Sequence, residues 1–278
     1  MNLVTKLIDM VSKKTKRIVV IGDVMVDHWV HGHVESCQEG CPKFVMELHM
    51  EVSGGAGNAK QCLQNWNVDV NVFGQLGTDC PNKWRFVNPD NETVFRYDDE
   101  LKKEALNSAR RHARSEDALM MVSRADAVLL SDYDKGFLTP EFIKHVTDIC
   151  CKKKIPCVAD CKRNMTIYDE CILKGNATYW GIYPLPKDGV ATYGPDQPFV
   201  GRTCVGVPLP PVTCINHVGA GDCFAAHLTL ALAYGFSLGD AATIAHSAGR
   251  VYVQHPHNRP PHPHEIEDDL KSAAIRAV

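Results

Sequence analysis

Short apolar runs rich in β-branched residues alternate along the chain with longer segments whose apolar residues recur at helical spacing. The short runs predict strands at residues 17–22, 68–73, 127–131 and 155–160. The longer segments predict helices at residues 57–65, 105–123, 140–153, 220–234 and 238–253. Strands that alternate with helices form a mainly parallel sheet covered on both faces, so the pattern predicts an α/β fold.

Capping residues mark the ends of several predicted helices. Thr139 followed by Pro140 is an N-cap with proline at the first helical position. Gly235 ends one helix, and Ser237 with Asp240 forms a capping box for the next. These residues define the predicted helix boundaries in the second half of the chain.

Two segments, residues 29–52 and 84–97, do not fit the alternation. The second has aromatic and β-branched residues on both sides of residues 88–91, which is typical of a β-hairpin with its turn in the middle. Together the two segments predict a small β-sheet that stands off the main body. Such a sheet above the strand ends would act as a lid.

Residues 216–222 form a block that leads directly into a predicted apolar helix. Gly219, Ala220 and Gly221 place backbone N–H groups at the helix N-terminus, where the positive end of the helix dipole favours an anion. An acidic residue beside an incoming anion is unfavourable unless it handles a proton, so Asp222 is predicted to be a base next to a phosphate. An ordinary loop with an acidic N-cap would contain the same residue types, and the block alone leaves both interpretations open.

Polar residues also follow the predicted strands. Because ligands bind at the carboxyl ends of strands in open α/β sheets, one edge is predicted to carry four acids, which are Asp23, Asp27, Asp132 and Asp160. Gly54 and Gly55 would let a ligand approach the backbone, and Asn58 offers a donor and an acceptor to hydroxyl groups. Asp27 is suited to accept hydrogen bonds from two neighbouring hydroxyl groups. These residues predict a polar cleft that binds a sugar.

Composition narrows the class of partner. The 278 residues carry a net charge of −3, so we expect neither nucleic-acid binding nor a polybasic membrane patch. Without an apolar run of membrane-spanning length or a leader pattern, the sequence indicates a cytoplasmic protein. The 12 cysteines are scattered and predict reduced thiols. A histidine tract indicates either a metal-binding segment or a stiff surface loop, and it comprises His255, His257, His262 and His264.

Four motifs occur in a fixed order. They are Gly-Asp-Val-Met-Val-Asp at residues 22–27, Gly-Gly-Ala-Gly-Asn-Ala at 54–59, Leu-Ser-Asp-Tyr-Asp-Lys-Gly at 130–136 and Val-Gly-Ala-Gly-Asp at 218–222. Because of these four motifs and their order, the chain resembles the ribokinase (PfkB) carbohydrate kinase family over residues 17–270. The resemblance implies a three-layer α/β/α fold with a small β-lid, in a single domain spanning residues 1–278. It also implies transfer of the γ-phosphate of ATP to a sugar hydroxyl with Mg²⁺.

The same resemblance implies roles for individual residues. Asp222 would take the hydroxyl proton, while the N–H groups of Gly219, Ala220 and Gly221 would stabilise the transferred phosphoryl group. The acceptor sugar would be held by Asp27, Gly54, Gly55, Asn58 and Lys135. The nucleotide would be held by Lys162, Asn176 and His246. Asn216 occupies the position of a family carboxylate that is associated with the metal.

Three functions stay open from the sequence. Within the family the motifs are most similar to those of heptose 7-phosphate kinases, which implies a sugar-phosphate acceptor. A nucleoside kinase would keep the fold and the base and change the acceptor. A non-catalytic sugar-binding or regulatory homologue is the third, because Asn216 replaces an aspartate and the segment after Asn176 is shorter than in the family.

A homodimer formed through the lid is also compatible with the sequence. Lids of this kind pair between subunits in the family, and the chain has an aromatic stripe at Trp84, Phe86, Phe95 and Tyr97. The same stripe is equally compatible with packing inside one chain.

Overall fold

The computed structural model of the chain describes residues 2–35, 40–75, 80–99, 108–162, 165–168, 170–176, 178 and 186–276. Its helices are α1 (Leu3–Lys13), α2 (Ala56–Cys62), α3 (Ser108–Val122), α4 (Pro140–Lys153), α5 (Ala220–Ala233), α6 (Leu238–Val253) and α7 (Pro263–Arg276), with a 3₁₀ turn at Met165–Ile167. Its strands are β1 (Arg17–Gly22), β2 (Val24–Glu35), β3 (Lys43–Gly55), β4 (Asp69–Phe73), β5 (Asn82–Val87), β6 (Thr93–Asp99), β7 (Ala127–Asp132), β8 (Cys157–Cys161), β9 (Ile172–Asn176), β10 (Val190–Tyr193), β11 (Asp196–Val200) and β12 (Thr203–Cys204). Within these ranges, the model contains no helix with the length and apolar character that a bilayer crossing requires.

Eight strands form the main sheet, in the order β12-β11-β10-β9-β8-β7-β1-β4. Neighbouring strands from β4 to β10 run parallel, while β11 and β12 add an antiparallel edge. Strand β1 has the sequence RIVVIG and is buried along almost its whole length, as expected for a central parallel strand. The predicted mainly parallel sheet is confirmed.

Helices cover both faces of this sheet. Because successive residues of a strand point to opposite faces, Ile18 and Val20 of β1 pack in one core with residues from α1, α2, α5, α6 and α7. Val19 and Ile21 pack in a second core with residues from α3 and α4. The fold is therefore the three-layer α/β/α sandwich that the motifs implied.

A second sheet has four strands in the order β3-β2-β5-β6, and we call it the lid. Its first two strands extend beyond the predicted segment, because β2 begins at Val24 and β3 ends at Gly55. The hairpin between β5 and β6 turns where the sequence predicted: Asn88 Oδ1 accepts hydrogen bonds from the backbone N–H groups of Asp90 (3.1 Å) and Glu92 (2.8 Å).

Most predicted helix ends are present. Thr139 Oγ1 accepts a hydrogen bond from Phe142 N–H at 3.2 Å, and Ser237 Oγ accepts one from Asp240 N–H at 3.2 Å. Gly235 follows α5 with φ +78°, the left-handed conformation expected after a helix. Helix α1 was not predicted, although its buried residues recur at helical spacing, namely Val4, Leu7 and Val11.

Candidate active site

The loop before α5 is shaped by a glycine and an asparagine. Asn216 Oδ1 accepts a hydrogen bond from Val218 N–H at 2.9 Å, and Asn216 Nδ2 donates to Asn258 Oδ1 at 3.2 Å. Gly219 has φ +85°, and a Cβ atom there would lie 2.4 Å from both Asn58 Nδ2 and the Tyr252 hydroxyl oxygen. Only glycine fits this position without displacement of its neighbours.

Helix α5 begins at Ala220, so the predicted anion-binding block lies at a helix N-terminus. Gly219, Ala220 and Gly221 are partly exposed, whereas the next residue, Asp222, is buried. Ala220 N–H, a predicted phosphate donor, donates a hydrogen bond to His217 O at 3.3 Å in this structure. The positive end of the α5 dipole therefore faces an accessible surface directly beside a buried carboxylate.

Asp222 is held by two donors. The Tyr133 hydroxyl donates to Oδ1 at 2.6 Å, and Asn58 Nδ2 donates to Oδ2 at 3.1 Å. Burial raises the pKa of Asp222 to about 6, and the nearby charge of Asp160 acts in the same direction. The two hydrogen bonds oppose that rise without cancelling it. A carboxylate with a pKa near 6 is ionised at neutral pH and is a stronger base than an ordinary aspartate.

Asn58 lies beneath this loop and is fully buried. Besides Asp222, its Nδ2 contacts Gly219 O at 3.3 Å and the Tyr252 hydroxyl at 3.2 Å. The Tyr252 hydroxyl in turn donates to Val218 O at 3.0 Å. The geometry thus links Asn58 to the base and its loop, and the predicted contact with a sugar stays a prediction.

Two lysines lie beside the carboxylate of Asp160. Lys174 Nζ lies 3.0 Å from Asp160 Oδ2 and 3.1 Å from Gly221 O, and Lys162 Nζ lies 3.4 Å from Asp160 Oδ1. Burial would raise the pKa of Asp160, but the lysine charges hold it below its ordinary value. Burial lowers the pKa of Lys174. Positive charge is therefore fixed under the predicted anion site.

Lys174 was missed by the sequence analysis. Its only signal is a lysine inside the apolar strand β9, and that position suggests an exposed side chain as readily as a buried one. The lysine is 2% exposed in the structure, because its amine meets Asp160 of the neighbouring strand β8. Lys162, which the sequence did single out, is 41% exposed.

The four acids predicted at the strand ends have different surroundings. Asp23 accepts hydrogen bonds from three backbone N–H groups of the loop that follows β7. The donors are Tyr133 (2.9 Å), Lys135 (3.0 Å) and Phe137 (3.2 Å). Asp132 accepts from Asp134 N–H and from the Tyr168 hydroxyl. These two carboxylates organise loops, whereas Asp27 and Asp160 are paired with cationic side chains.

Asp27 lies on lid strand β2 and is buried together with Arg85 of strand β5. Arg85 Nη1 donates to Asp27 Oδ1 at 2.5 Å, and its guanidinium lies 5.2 Å from the centre of the Trp29 ring. A Cβ atom at Gly54 would lie 2.5 Å from Asp27 Oδ2, and one at Gly55, where φ is +57°, would lie 2.3 Å from a backbone oxygen. Gly54 is therefore required by close packing against Asp27, and Gly55 by close packing against the backbone of Asp23. Arg85 was not predicted, because its pairing depends on strand neighbours far apart in sequence.

The ring of Tyr133 connects the lid to the base. The amine of Lys83 on lid strand β5 lies 5.3 Å from the ring centre, and the amine of Lys162 lies 5.2 Å from it. The charges of Asp222, Asp160 and Asp27 all raise the pKa of Tyr133, in addition to burial. The Tyr133 side chain therefore contacts the predicted base and lies beside one lysine of the lid and one lysine that follows β8.

The residues predicted to hold the nucleotide lie on separate elements. Asn176 ends β9, two residues after Lys174, and His246 lies in the middle of α6. His246 is buried, and burial followed by the charge of Arg250 lowers its pKa to about 4, so the ring is neutral at neutral pH. Most of the shortened segment after Asn176 lies outside the described residues. Tyr179, which the resemblance aligns with a family glutamate, is one of the residues that are not described.

Comparisons with known proteins agree with this architecture. The profile of the pfkB family carbohydrate kinases matches residues 98–265. The bifunctional protein HldE of Sulfurimonas denitrificans is 27% identical, with 86% of this chain and 61% of that protein aligned. The bifunctional protein HldE of Caulobacter vibrioides is 28% identical, over 86% of this chain and 60% of that protein. The chain thus spans about 60% of the length of these relatives.

Solved structures show the same fold at low sequence identity. Arabidopsis thaliana ribokinase, complexed with ribose and ATP, has a TM-score of 0.65 at 18% identity, covering 93% of this chain and 99% of that one. Escherichia coli phosphofructokinase-2, in complex with fructose-6-phosphate, has a TM-score of 0.68 at 16% identity, covering 94% and 100%. The profile match, together with the shared fold, shows that this chain belongs to the pfkB family of carbohydrate kinases.

Proposed function

We propose that this kinase transfers the γ-phosphate of ATP to a hydroxyl group of a sugar phosphate, with Asp222 as the base. One observation carries the proposal: a buried carboxylate with a pKa of about 6 lies at the N-terminus of α5, beside the N–H groups of Gly219, Ala220 and Gly221. Phosphoryl transfer requires alignment and charge stabilisation more than covalent chemistry. A base and an anion site on adjacent residues supply both.

In the proposed reaction the acceptor hydroxyl donates its hydrogen bond to Asp222, in the region now occupied by the Tyr133 hydroxyl. Asp222 takes the proton as the acceptor oxygen bonds to the γ-phosphorus, while the bond from that phosphorus to the β-phosphate oxygen breaks and ADP leaves. The N–H groups of residues 219–221 then stabilise the charge on the transferred group, and the lysine pair at Asp160 adds positive charge beneath them. Asn58 positions the carboxylate for that step through its hydrogen bond at 3.1 Å.

Cationic side chains around Tyr133 support a phosphorylated acceptor. Lys83 and Lys162 lie on its ring, Lys135 follows in the same loop, and Arg85 pairs with Asp27 on the lid. An acceptor held by Asp27, Gly54, Gly55, Asn58 and Lys135 would therefore meet hydroxyl acceptors and positive charge together. A heptose 7-phosphate, the acceptor implied by the motifs, has this chemistry.

ATP and Mg²⁺ complete the proposal. Lys162, Asn176 and His246 would contact the nucleotide, with His246 neutral and thus suited to a hydrogen bond with a base rather than to a phosphate. Mg²⁺ is bound in kinases by one or two carboxylates together with waters and substrate phosphates. Asn216 is the residue that the family resemblance associates with the metal, while Asp222 acts as the base and Asp160 is already paired with lysine. The ion would neutralise charge on the phosphates when bound.

A turnover assay tests the function directly. The chain is incubated with ATP and Mg²⁺ and a panel of hexose, heptose and nucleoside acceptors, with and without a phosphate group, and product is followed by phosphorus NMR. We expect product with phosphorylated sugars and a turnover about 10² to 10⁴-fold lower with an Asp222→Asn variant. Turnover only with nucleosides would reject the sugar acceptor, and equal turnover of the variant would reject the base.

One observation favours a second candidate, a sugar-binding homologue without kinase turnover. Both ends of the Asn216 amide contact protein groups, Val218 N–H and Asn258, at the position where the family has a carboxylate. Calorimetry separates the two functions. A kinase binds both the sugar phosphate and ATP with Mg²⁺, whereas the homologue binds the sugar phosphate alone.

The lid also supports a proposal of self-association. Phe95 and Tyr97 on strand β6 are 59% and 52% exposed, and both belong to the aromatic stripe noted in the sequence. A homodimer would cover this face. Light scattering should give twice the chain mass for the native protein and a lower mass for a Phe95→Ser, Tyr97→Ser variant.

A further inference from the structure

A cluster of metal-binding side chains lies on the lid, away from the proposed base. His28 belongs to β2, and His49 and Glu51 belong to the neighbouring strand β3. One donor atom from each lies within 4.8 Å of the other two. His28 follows Asp27 in the strand, and successive strand residues point to opposite faces, so this cluster lies on the face opposite Asp27. The proposed phosphoryl transfer uses none of the three.

The hydrogen bonds of His28 determine which ring nitrogen can bind a metal. Asn82 Nδ2 donates to Cys80 O at 3.3 Å, which leaves Asn82 Oδ1 to face His28 Nε2 at 3.0 Å. An amide oxygen only accepts, so His28 Nε2 carries the proton and Nδ1 carries the lone pair. Metal-binding histidines in proteins are oriented by the same kind of partner.

The lone pair of His28 Nδ1 points to the other two donors. His49 Nε2 lies 3.0 Å from it, and Glu51 Oε1 lies 3.5 Å from it. In a tetrahedral zinc site with bonds of about 2.0 to 2.2 Å, neighbouring donor atoms are about 3.3 to 3.5 Å apart. Small side-chain movements would therefore bring all three donors to bonding distance of one ion.

Packing already fixes the central ligand. The His28 ring stacks on Trp84, with ring centres 3.8 Å apart and planes inclined by 3°, and its side chain is 7% exposed. His49 and Glu51 are exposed, so an ion can reach the cluster from solvent. A ligand that is ordered in advance loses little conformational freedom on binding, which favours affinity.

We propose that His28, His49 and Glu51 bind one divalent transition-metal ion of the zinc type, with water in the fourth position. When the ion binds, the proton on His49 Nε2 moves to His49 Nδ1 by exchange with solvent, so that both facing nitrogens offer lone pairs and both rings stay neutral. Two imidazoles and one carboxylate are a donor set that suits Zn²⁺. The ion would join β2 to β3 and so stiffen the strand that carries Asp27.

Metal titration of the full chain tests the site. The protein is stripped with a chelator, titrated with Zn²⁺ in a calorimeter and titrated with Co²⁺ in an absorption spectrometer. We expect one ion per chain and the visible absorption of tetrahedral cobalt. His49→Ala and Glu51→Gln should each weaken binding, and Asn82→Ala should weaken it by about 10- to 100-fold, as for other supporting partners of ligating histidines.

The same hairpin supplies a matched control. His33 and Glu47 are paired at 2.8 Å and are both exposed, and among the described residues they do not belong to any three-donor group. His33→Ala should leave the affinity unchanged. The proposal is overturned by an absence of stoichiometric binding. It is equally overturned if His49→Ala and Glu51→Gln bind as tightly as the native chain, as would occur if the ion were held by the 255–264 histidine tract. Neither result affects the proposed kinase function, because the readout is binding alone.

Discussion

An Asp222→Asn substitution keeps the shape of a buried side chain and removes its charge. Ionised Asp222 is unfavourable in its site, since burial and the Asp160 charge raise its pKa from 3.8 to about 6. One pH unit of pKa corresponds to about 1.4 kcal/mol, so ionisation in the folded state carries a penalty of about 3 kcal/mol relative to the unfolded chain. The Asp222→Asn variant lacks the proposed base, and its folded state no longer carries the free-energy penalty of a buried ionised carboxylate.

The magnitude depends on pH in a defined direction. Between pH 3.8 and about 6 the folded chain holds a proton at Asp222 that the unfolded chain releases, so this residue makes stability fall as pH rises. Linkage predicts that the variant gains about 2 kcal/mol relative to the native chain between pH 4.5 and pH 7. Loss of one good hydrogen bond, from Asn58 or Tyr133, opposes this by about 1 kcal/mol at every pH.

Urea unfolding followed by circular dichroism at pH 4.5 and pH 7 measures the difference. We expect a turnover number about 10² to 10⁴-fold lower for Asp222→Asn, and a free energy of unfolding about 1 to 2 kcal/mol higher at pH 7. Asp90→Asn in the exposed lid turn is the control and should change stability by less than about 0.5 kcal/mol at both pH values. A stability difference that does not change with pH would refute the assignment of a buried, destabilised carboxylate.

Three further outcomes follow from contacts in the site. For the native protein, kcat/KM should decrease as the pH falls below about 6. Tyr133→Phe should move this acidic limb of the profile to higher pH, because the tyrosine hydroxyl lowers the pKa of Asp222. An acidic limb at the same pH in the variant would contradict the contact between Tyr133 and Asp222. Gly219→Ala should abolish turnover, because a Cβ atom there overlaps two side chains. Its control is Gly235→Ala, which also has positive φ but faces open space, and it should keep turnover while losing about 1 kcal/mol of stability. Equal kinetics of the two variants would show that the shape of the loop before α5 does not limit turnover. Lys174→Met should lower the free energy of unfolding by about 3 kcal/mol, because it leaves the buried carboxylate of Asp160 without its nearest cation. A loss below about 1 kcal/mol in urea unfolding would mean that Lys162 compensates for the missing charge.

Much of the fold follows from local sequence. The strand RIVVIG and the caps at Thr139 and Ser237 are local signals, and the structure has the corresponding elements close to the predicted residues. Helix α1 carried a comparable signal in Val4, Leu7 and Val11, but the charged residues Lys6 and Asp9 between them obscured the apolar face. Strands β2 and β3 were predicted too short, because their ends are held by pairing with each other rather than by composition.

In the candidate site, too, some features follow from local sequence and others depend on contacts between distant segments. The order of four motifs determined the family and selected Asp222 together with the glycines before it, since a helix N-terminus and its preceding loop are local in sequence. Pairings between distant segments carried no such signal. Asp27 meets Arg85 across 58 positions, and Asn58 meets Asp222 across 164.

The sequence by itself therefore determined the layered α/β architecture and the family, and it selected Asp222 as the proposed base. The tertiary structure alone decided that Lys174 lies buried against Asp160, that Asn58 donates a hydrogen bond to Asp222, and that His28 and His49 converge on the lid. The physical reason is that hydrophobic period and capping act over a few residues, whereas burial and charge pairing depend on which strand ends come together. The pKa of Asp222 belongs to the second group, because water is excluded from it only when the whole site is assembled.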